Sequence, residues 1–457
     1  MPVFPRSRER QRERQRVVTL PASVGQALRL PFFRRISLLL LLLTLGTLAA
    51  PAAPSAPPVT GPTLPGLAAV DTAMLALLEK HGSPGGQLAV AYRGRLVLSR
   101  GYGYADRDTN APATPDSLSR LASLSKLITA VAILQLVEDK KLDLDAPAFA
   151  LLPQFTPVRG RTPDPRLAAI TVRHLLHHTG GWDRDQSGDP MFKPAIIASA
   201  TATAAPATTD AIIRYMLGEP LDFAPGTRYA YSNFGYAVLG RIIEKLSDQS
   251  YADFVRTRLF APLGLTRPFL GHTAWEQRAP AEFRYHDQPG STPVRSVFPV
   301  TRTSVPQPYG GFYLEAMDAH GQWVTSASDY LRFVCSLDGS RPPALLSPAS
   351  ITLLTERPAP PLAQDTAAYY GLGTQVRPTN NRSGLGANWW HSGSLPGTIT
   401  YSVRLASGWS WVACFNARPP KSDNFSGDID KTINAALRSI TPPVNGDLFL
   451  PPLAQSP

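Results

Sequence analysis

Three short clusters in the 457-residue chain carry side chains able to do covalent chemistry. In RLASLSKLITA, Ser123 and Lys126 stand three apart at the head of an apolar run, and a helical turn brings such a pair onto one face. A serine becomes a nucleophile when a base takes its proton, and a lysine can be that base once burial and positive neighbours lower its pKa. The first helical turn adds backbone N–H groups able to stabilise an oxyanion. Ser125 adjoins the lysine and points elsewhere, so Ser123 is the candidate nucleophile. Lys126 is the only lysine of the chain with a serine three residues before it. The plainer reading is a serine cap beside a snorkelling lysine.

The second cluster is Tyr231-Ser232-Asn233, ahead of the apolar segment YAVLGRIIEKL. A phenol beside a lysine ammonium can ionise and relay protons, and an amide can hold a substrate carbonyl. The plainer reading is a helix cap with Tyr231 in the core. The third is His391-Ser392-Gly393 in NWWHSGSLPGT, where a strand glycine would let a substrate backbone lie against the edge. By itself, that motif reads more simply as an edge histidine before a turn. One of Trp389 and Trp390 is expected to pack inward and the other to line an apolar subsite.

The elements around these clusters follow from periodicity. Leu127 to Val137 holds only Thr129 and Gln135 as polar residues, which predicts a helix buried on nearly all sides. DTAMLALLEK, from Asp71, predicts an amphipathic helix closed at Gly82. GQLAVAY and RLVLSRGY flank Arg93-Gly94 as a hairpin. NWWHSG, TITYSVRL and SWVACFN read as three further strands, followed by a helix from about 428 to 440. Strands at both ends predict an α+β fold, with one antiparallel sheet flanked by terminal helices and built from about 67–119 and 370–440. Residues 120–369 would then be an inserted helical domain. SATATAAPATTD (199–210) reads as a surface loop. Residues 53–66 read as a Pro/Ala linker and 441–457 as a Pro-rich tail.

Composition excludes some partners. Nine arginines against Glu9 and Glu13 within residues 1–35 carry +7 of the net +11 charge. The +4 left on the body forms no basic stripe, so a nucleic-acid surface is not expected. After Arg34-Arg35 comes an apolar stretch from Ile36 to Ala50, short for a membrane span of ~20 residues and followed by small residues. Residues 1–52 therefore read as a secretory signal, with an uncleaved membrane anchor as the alternative. The body would be periplasmic or secreted, or anchored at the inner membrane facing the periplasm. Cys335 and Cys414 lie in apolar runs and read as two buried thiols, with a disulfide as the alternative. His174, His177 and His178 have helical spacing, but no HExxH or carboxylate set accompanies them, so no metal is expected. No G-x-S-x-G elbow occurs.

Taken in order, S-x-x-K, Y-x-N and H-x-G resemble the serine β-lactamase and penicillin-binding-protein superfamily. The class C β-lactamase-like branch is most similar, with its family VIII esterases, D-aminopeptidases and D-Ala-D-Ala carboxypeptidases. GQLAVAYRGRLVLSRGYGYAD, ITVRHLLHHTGGW, TSASDYLRF and YGLGTQV look like the family as well, and the likeness runs from about 67 to 440. It implies a β-lactamase/transpeptidase-like fold with the active site between sheet and helical insert. It implies Ser123 as the acylated nucleophile, Lys126 as the group that helps deprotonate it, and Tyr231 as general base and acid. Asn233 would orient substrate, His391 and Gly393 would line the cleft, and the backbone N–H groups of Ser123 and Ser394 would form the oxyanion hole. No cofactor is implied.

The departure is His391, where penicillin-recognising members carry K-T-G. A mostly neutral histidine attracts carboxylates less well, so H-x-G favours the esterase and peptidase offshoots. The expected partner is a small ester or peptide substrate, with peptidoglycan fragments among the candidates. The competing reading is an inactive relative that binds peptidoglycan or another partner. Specificity would lie in insertions at Asp183–Thr209 and Arg267–Gln322.

Overall fold

The computed structural model describes residues 56–450 apart from 289, 300–303, 360–361, 363–366, 380–385, 421–422 and 444. The expectations for 1–52 lie outside these residues. Among the described residues, no helix is long and apolar enough to cross a membrane.

Five long strands form the centre of one antiparallel sheet. Gly85–Tyr92 and Arg95–Asp106 make the predicted hairpin, with Arg93 and Gly94 at positive φ in its turn. Gly85–Tyr92 then pairs with Trp409–Phe415, which pairs with Thr398–Arg404, which pairs with Ala387–Leu395. The N-terminal hairpin thus joins strands more than 300 residues downstream. Gln375–Pro378 and Tyr369–Tyr370 complete that side.

The sheet buries both faces. Ala68–His81 and Phe425–Arg438 pack over one face, with Val70, Met74, Leu77, Ile429 and Ile433 meeting Leu88, Val90, Tyr401 and Trp411. The helical region covers the other face, where Leu121 to Leu136 belongs to the largest core cluster. Both cysteines are free and buried.

Three boundaries differ from expectation. Val59–Thr60, inside the expected linker, pairs with Gly101 and Tyr102, and Leu64 N–H donates to Val97 O at 2.9 Å. Proline is compatible with an edge strand, where its missing N–H would face outward. At the other end, Leu448 N–H donates to Leu96 O at 2.8 Å and Asp447 pairs with Arg341 at 2.7 Å. The start of the expected tail is therefore tied to the hairpin. Within 199–210, the helix Pro194–Thr201 continues into the stretch and Thr208 caps Thr209–Met216, so the true connection is 202–208. The insert also contains strands, among them Trp323–Thr325 between Ser119–Arg120 and Phe269–Leu270.

Candidate active site

Residues Ser125–Glu138 form the predicted buried helix, and every residue from Ser125 to Leu136 is out of solvent. Its two internal polar residues are satisfied across the core. Thr129 Oγ1 donates to Ala319 O at 2.6 Å, and Gln135 Nε2 donates to Leu345 O at 3.1 Å. A tight turn, Ala122–Leu124, leads into the helix and carries Ser123. Ala122 holds φ +49°, a left-handed conformation that costs a non-glycine residue roughly 1–2 kcal/mol. Packing holds it there, because Ala122 is buried and Thr400 Oγ1 donates to Leu121 O at 2.7 Å.

Gly393 explains how that turn can sit so close to the sheet. A Cβ on Gly393 would lie 2.1 Å from Thr400 Oγ1 and 2.4 Å from Leu121 O. The glycine makes room for the nucleophile turn. Gly393→Ala is expected to cost about 1–3 kcal/mol of stability from overpacking, and to lower kcat by displacing Ser123. Thermal unfolding alongside steady-state kinetics checks both; a variant with normal Tm and kcat would contradict this reading.

Ser123 opens onto a cavity of about 920 Å³ that is also lined by Lys126's neighbours Tyr231, Asn233 and His320, and by His391, Trp390 and Ser394. Trp389 packs inward, as one of the two tryptophans was expected to do. Ser125 is fully buried, is not part of the cavity wall, and its hydroxyl has no partner among the described residues.

Lys126 is fully buried, and its Nζ has three polar neighbours. These are Asn233 Oδ1 at 2.7 Å, His320 O at 3.0 Å and Ser123 Oγ at 3.2 Å. Burial pushes its pKa well below the ordinary lysine value; Asp189 opposes that shift and Arg184 adds to it. A neutral amine has two N–H bonds and one lone pair. In that form the two carbonyl oxygens, which only accept, take both N–H bonds and leave the lone pair for the serine hydroxyl, whereas an ammonium donates to all three oxygens.

Tyr231 lies with its ring centroid 4.8 Å from Lys126 Nζ, and its phenol faces the Ser123 hydroxyl. Burial drives its pKa upward, with the Ser123 contact working the other way. The expected phenolate is therefore disfavoured, and burial works against charge on both the phenol and the amine. Ser232 caps the helix Asn233–Ser247, accepting from Gly235 N–H at 3.2 Å, so the motif contains a helix cap as well.

Asn233 lines the cavity and is anchored from within the protein. Its Oδ1 faces Lys126 and its Nδ2 donates to Asp189 Oδ2 at 2.6 Å, so both ends of the amide are engaged inside the protein. His391 lies on Ala387–Leu395 and faces the cavity. Its Nδ1 lies 2.6 Å from Ser392 O, so Nδ1 carries the proton, and Nε2 lies 2.9 Å from the Tyr370 hydroxyl, which donates to it. Burial first, then Lys126, push its pKa down to about 3, so it is neutral.

Sequence reasoning missed His178, His320 and Asp189. His178 packs at a tilt against Tyr231 with centroids 4.3 Å apart and accepts Ser232 N–H at 3.1 Å through Nδ1, fixing the backbone of the tyrosine motif. The motif HHTGG holds this histidine, but no spacing rule ties it to a tyrosine more than fifty residues away. His174 and His177 go elsewhere. His174 completes a capping box with Thr171, and His177 contacts Tyr370 O and Glu356. Of the expected specificity insertions, the first supplies Asp183, Arg184, Asp185, Asp189 and Phe192 to the cavity, whereas the second supplies only His320 and Gly321 among the described residues.

An antiparallel sheet with a helical insert, and a serine–lysine pair where they meet, define a β-lactamase/transpeptidase-like protein. Residues 70–431 match the Beta-lactamase family, and the chain belongs to it. Esterase EstB of Burkholderia gladioli is 34% identical over 201 residues, 43% of this chain and 50% of that protein. Protein flp of Staphylococcus aureus (strain COL) is 29% identical over 227 residues, 50% of this chain and 42% of that protein. The chain thus spans about half the length of these curated relatives. Among solved structures, D-amino acid amidase from Ochrobactrum anthropi SV3 superposes with a TM-score of 0.61 at 24% identity, covering 81% of this chain and 99% of that one. The octameric penicillin-binding protein homologue from Pyrococcus abyssi gives 0.58 at 23% identity, covering 78% and 75%. These two likenesses show the fold.

Proposed function

We propose that this protein is a serine hydrolase cleaving a small ester or amide through an acyl-Ser123 intermediate. The observation that carries it is the Lys126 amine, fully buried 3.2 Å from a serine hydroxyl that opens on a large cavity, where burial favours its neutral form. The amine takes the Ser123 proton as Oγ attacks the substrate carbonyl, giving a tetrahedral oxyanion. The backbone N–H groups of Ser123 and Ser394 receive that charge. Tyr231, a neutral phenol at Ser123, donates a proton to the leaving oxygen or nitrogen and regains one from Lys126. Water repeats the sequence on the acyl-enzyme. Asn233 and His320 O hold the amine in place throughout.

His391, neutral and tied to Tyr370, brings no positive charge to the strand edge, which supports esters and uncharged amides over strongly anionic β-lactams. The arginine-rich leader and apolar run support secretion or periplasmic exposure. Residues 57–457, assayed on p-nitrophenyl butyrate and D-alanyl-p-nitroanilide with Ser123→Ala as blank, test the reading. Turnover of the ester alone assigns an esterase, turnover of the D-amide a D-peptide hydrolase. Equal rates in protein and blank would overturn the proposal.

A further inference from the structure

Asp189 touches neither Ser123 nor Lys126, yet it is joined to both through one amide. It caps the short turn Pro190–Phe192, where Oδ1 accepts Met191 N–H at 3.0 Å and Pro190 sits at the first position. That bond fixes the carboxylate's orientation and leaves Oδ2 for Asn233 Nδ2 at 2.6 Å. An amide group has a donor end and an acceptor end. A carboxylate accepts only, so it can bind the NH2 end and no other. With Nδ2 held there, Oδ1 must face the opposite way, where Lys126 Nζ lies at 2.7 Å.

We propose that Asp189 is a positioning residue for the acylation step, setting the Asn233 amide so that its carbonyl oxygen holds the Lys126 amine with its lone pair on Ser123. This rests on the serine-hydrolase reading above. Without Asp189, the amide can turn its NH2 end toward Lys126, where an N–H competes with the Ser123 hydroxyl for the amine's lone pair. The amine then loses one of its two acceptors and its lone pair no longer stays on the serine.

Asp189 also carries charge. The titratable and charged groups around Lys126 are Tyr231 and Tyr236 on the motif and its helix, His178 and His320 on neighbouring turns, His391 on the strand, and Arg184 above the Tyr231 ring. The three histidines are neutral and Arg184 is positive, so Asp189 is the anion that acts on the lysine. Its loss removes a force favouring the ammonium.

The test compares Asp189→Ala and Asp189→Asn with the parent chain. It uses the rate of Ser123 labelling by a fluorophosphonate and the pH profile of kcat/KM on the best ester or amide. Asp189→Ala is expected to lower the labelling rate and kcat at least tenfold, with KM within about twofold. Asp189→Asn, which can still present an oxygen to Asn233 Nδ2, is expected to recover most of kcat. Its acid limb should move to lower pH, because the lysine loses its stabilising anion. Labelling of Asp189→Ala at the parent rate would overturn the inference while leaving the hydrolase reading intact. So would a loss that falls on KM, which would make Asp189 a substrate contact. So would an Asn variant with an unshifted acid limb or as impaired as Ala. A parent chain that is never labelled would instead overturn the hydrolase reading. Tm values of both variants separate misfolding from mispositioning.

Discussion

Ser123→Ala is expected to reduce turnover by roughly 10⁴-fold or more, whereas Ser125→Ala keeps most of it. The two serines stand two residues apart and differ in everything the reaction needs. Ser123 sits on the turn ahead of the helix, faces the cavity and lies 3.2 Å from Lys126 Nζ. Ser125 begins the helix proper, is fully buried, and its hydroxyl finds no partner among the described residues. An unpaired buried hydroxyl is a cost rather than a support, so Ser125→Ala should leave Tm equal or higher. Steady-state rates and thermal melts of both variants decide the assignment, and equal loss of turnover would remove Ser123's claim.

Lys126→Met is the second large effect. It removes the base and is expected to lower kcat by roughly 10³-fold or more. Methionine is unbranched and one heavy atom shorter than lysine, so most of the space behind Ser123 stays filled, and a buried amine gives way to an apolar thioether. Stability should therefore fall little, though Asn233 Oδ1 and His320 O lose their donor.

The pH dependence follows from the same group. Burial lowers the lysine pKa, so the active neutral amine persists below the pH at which an exposed lysine, with a pKa of ~10.4, would be protonated. Activity should fall as pH drops through the lowered Lys126 pKa, where the ammonium forms, and that fall should lie well below the range in which an exposed lysine titrates. A profile rising only above about pH 10, or Lys126→Met at parental kcat, would remove lysine from the base role.

Much of the architecture was legible because its causes are local. The alternation in TITYSVRL, the turn glycines and the unbroken apolar face after Lys126 each specify an element without help from afar. What escaped was set by contacts over long separations. Val59–Thr60 looks like linker because its partner strand, not its own composition, makes it an edge. Asp189 reads as a turn residue, and nothing local says that its free oxygen meets an amide 44 residues on. Gly393 has a role that its motif does not reveal, because the nucleophile turn, which arrives from a distant segment, occupies the space its missing side chain leaves. Likewise the anchoring of the Asn233 amide is not legible locally, because its partners, Lys126 and Asp189, come from two other segments.

The most direct measurement is intact-mass and peptide mapping of residues 57–457 after reaction with a fluorophosphonate. One adduct per chain, on Ser123 and absent from Ser123→Ala, is the expected result. A chain that gains no mass, or gains it on another residue in both proteins, would contradict acyl-serine chemistry at this site.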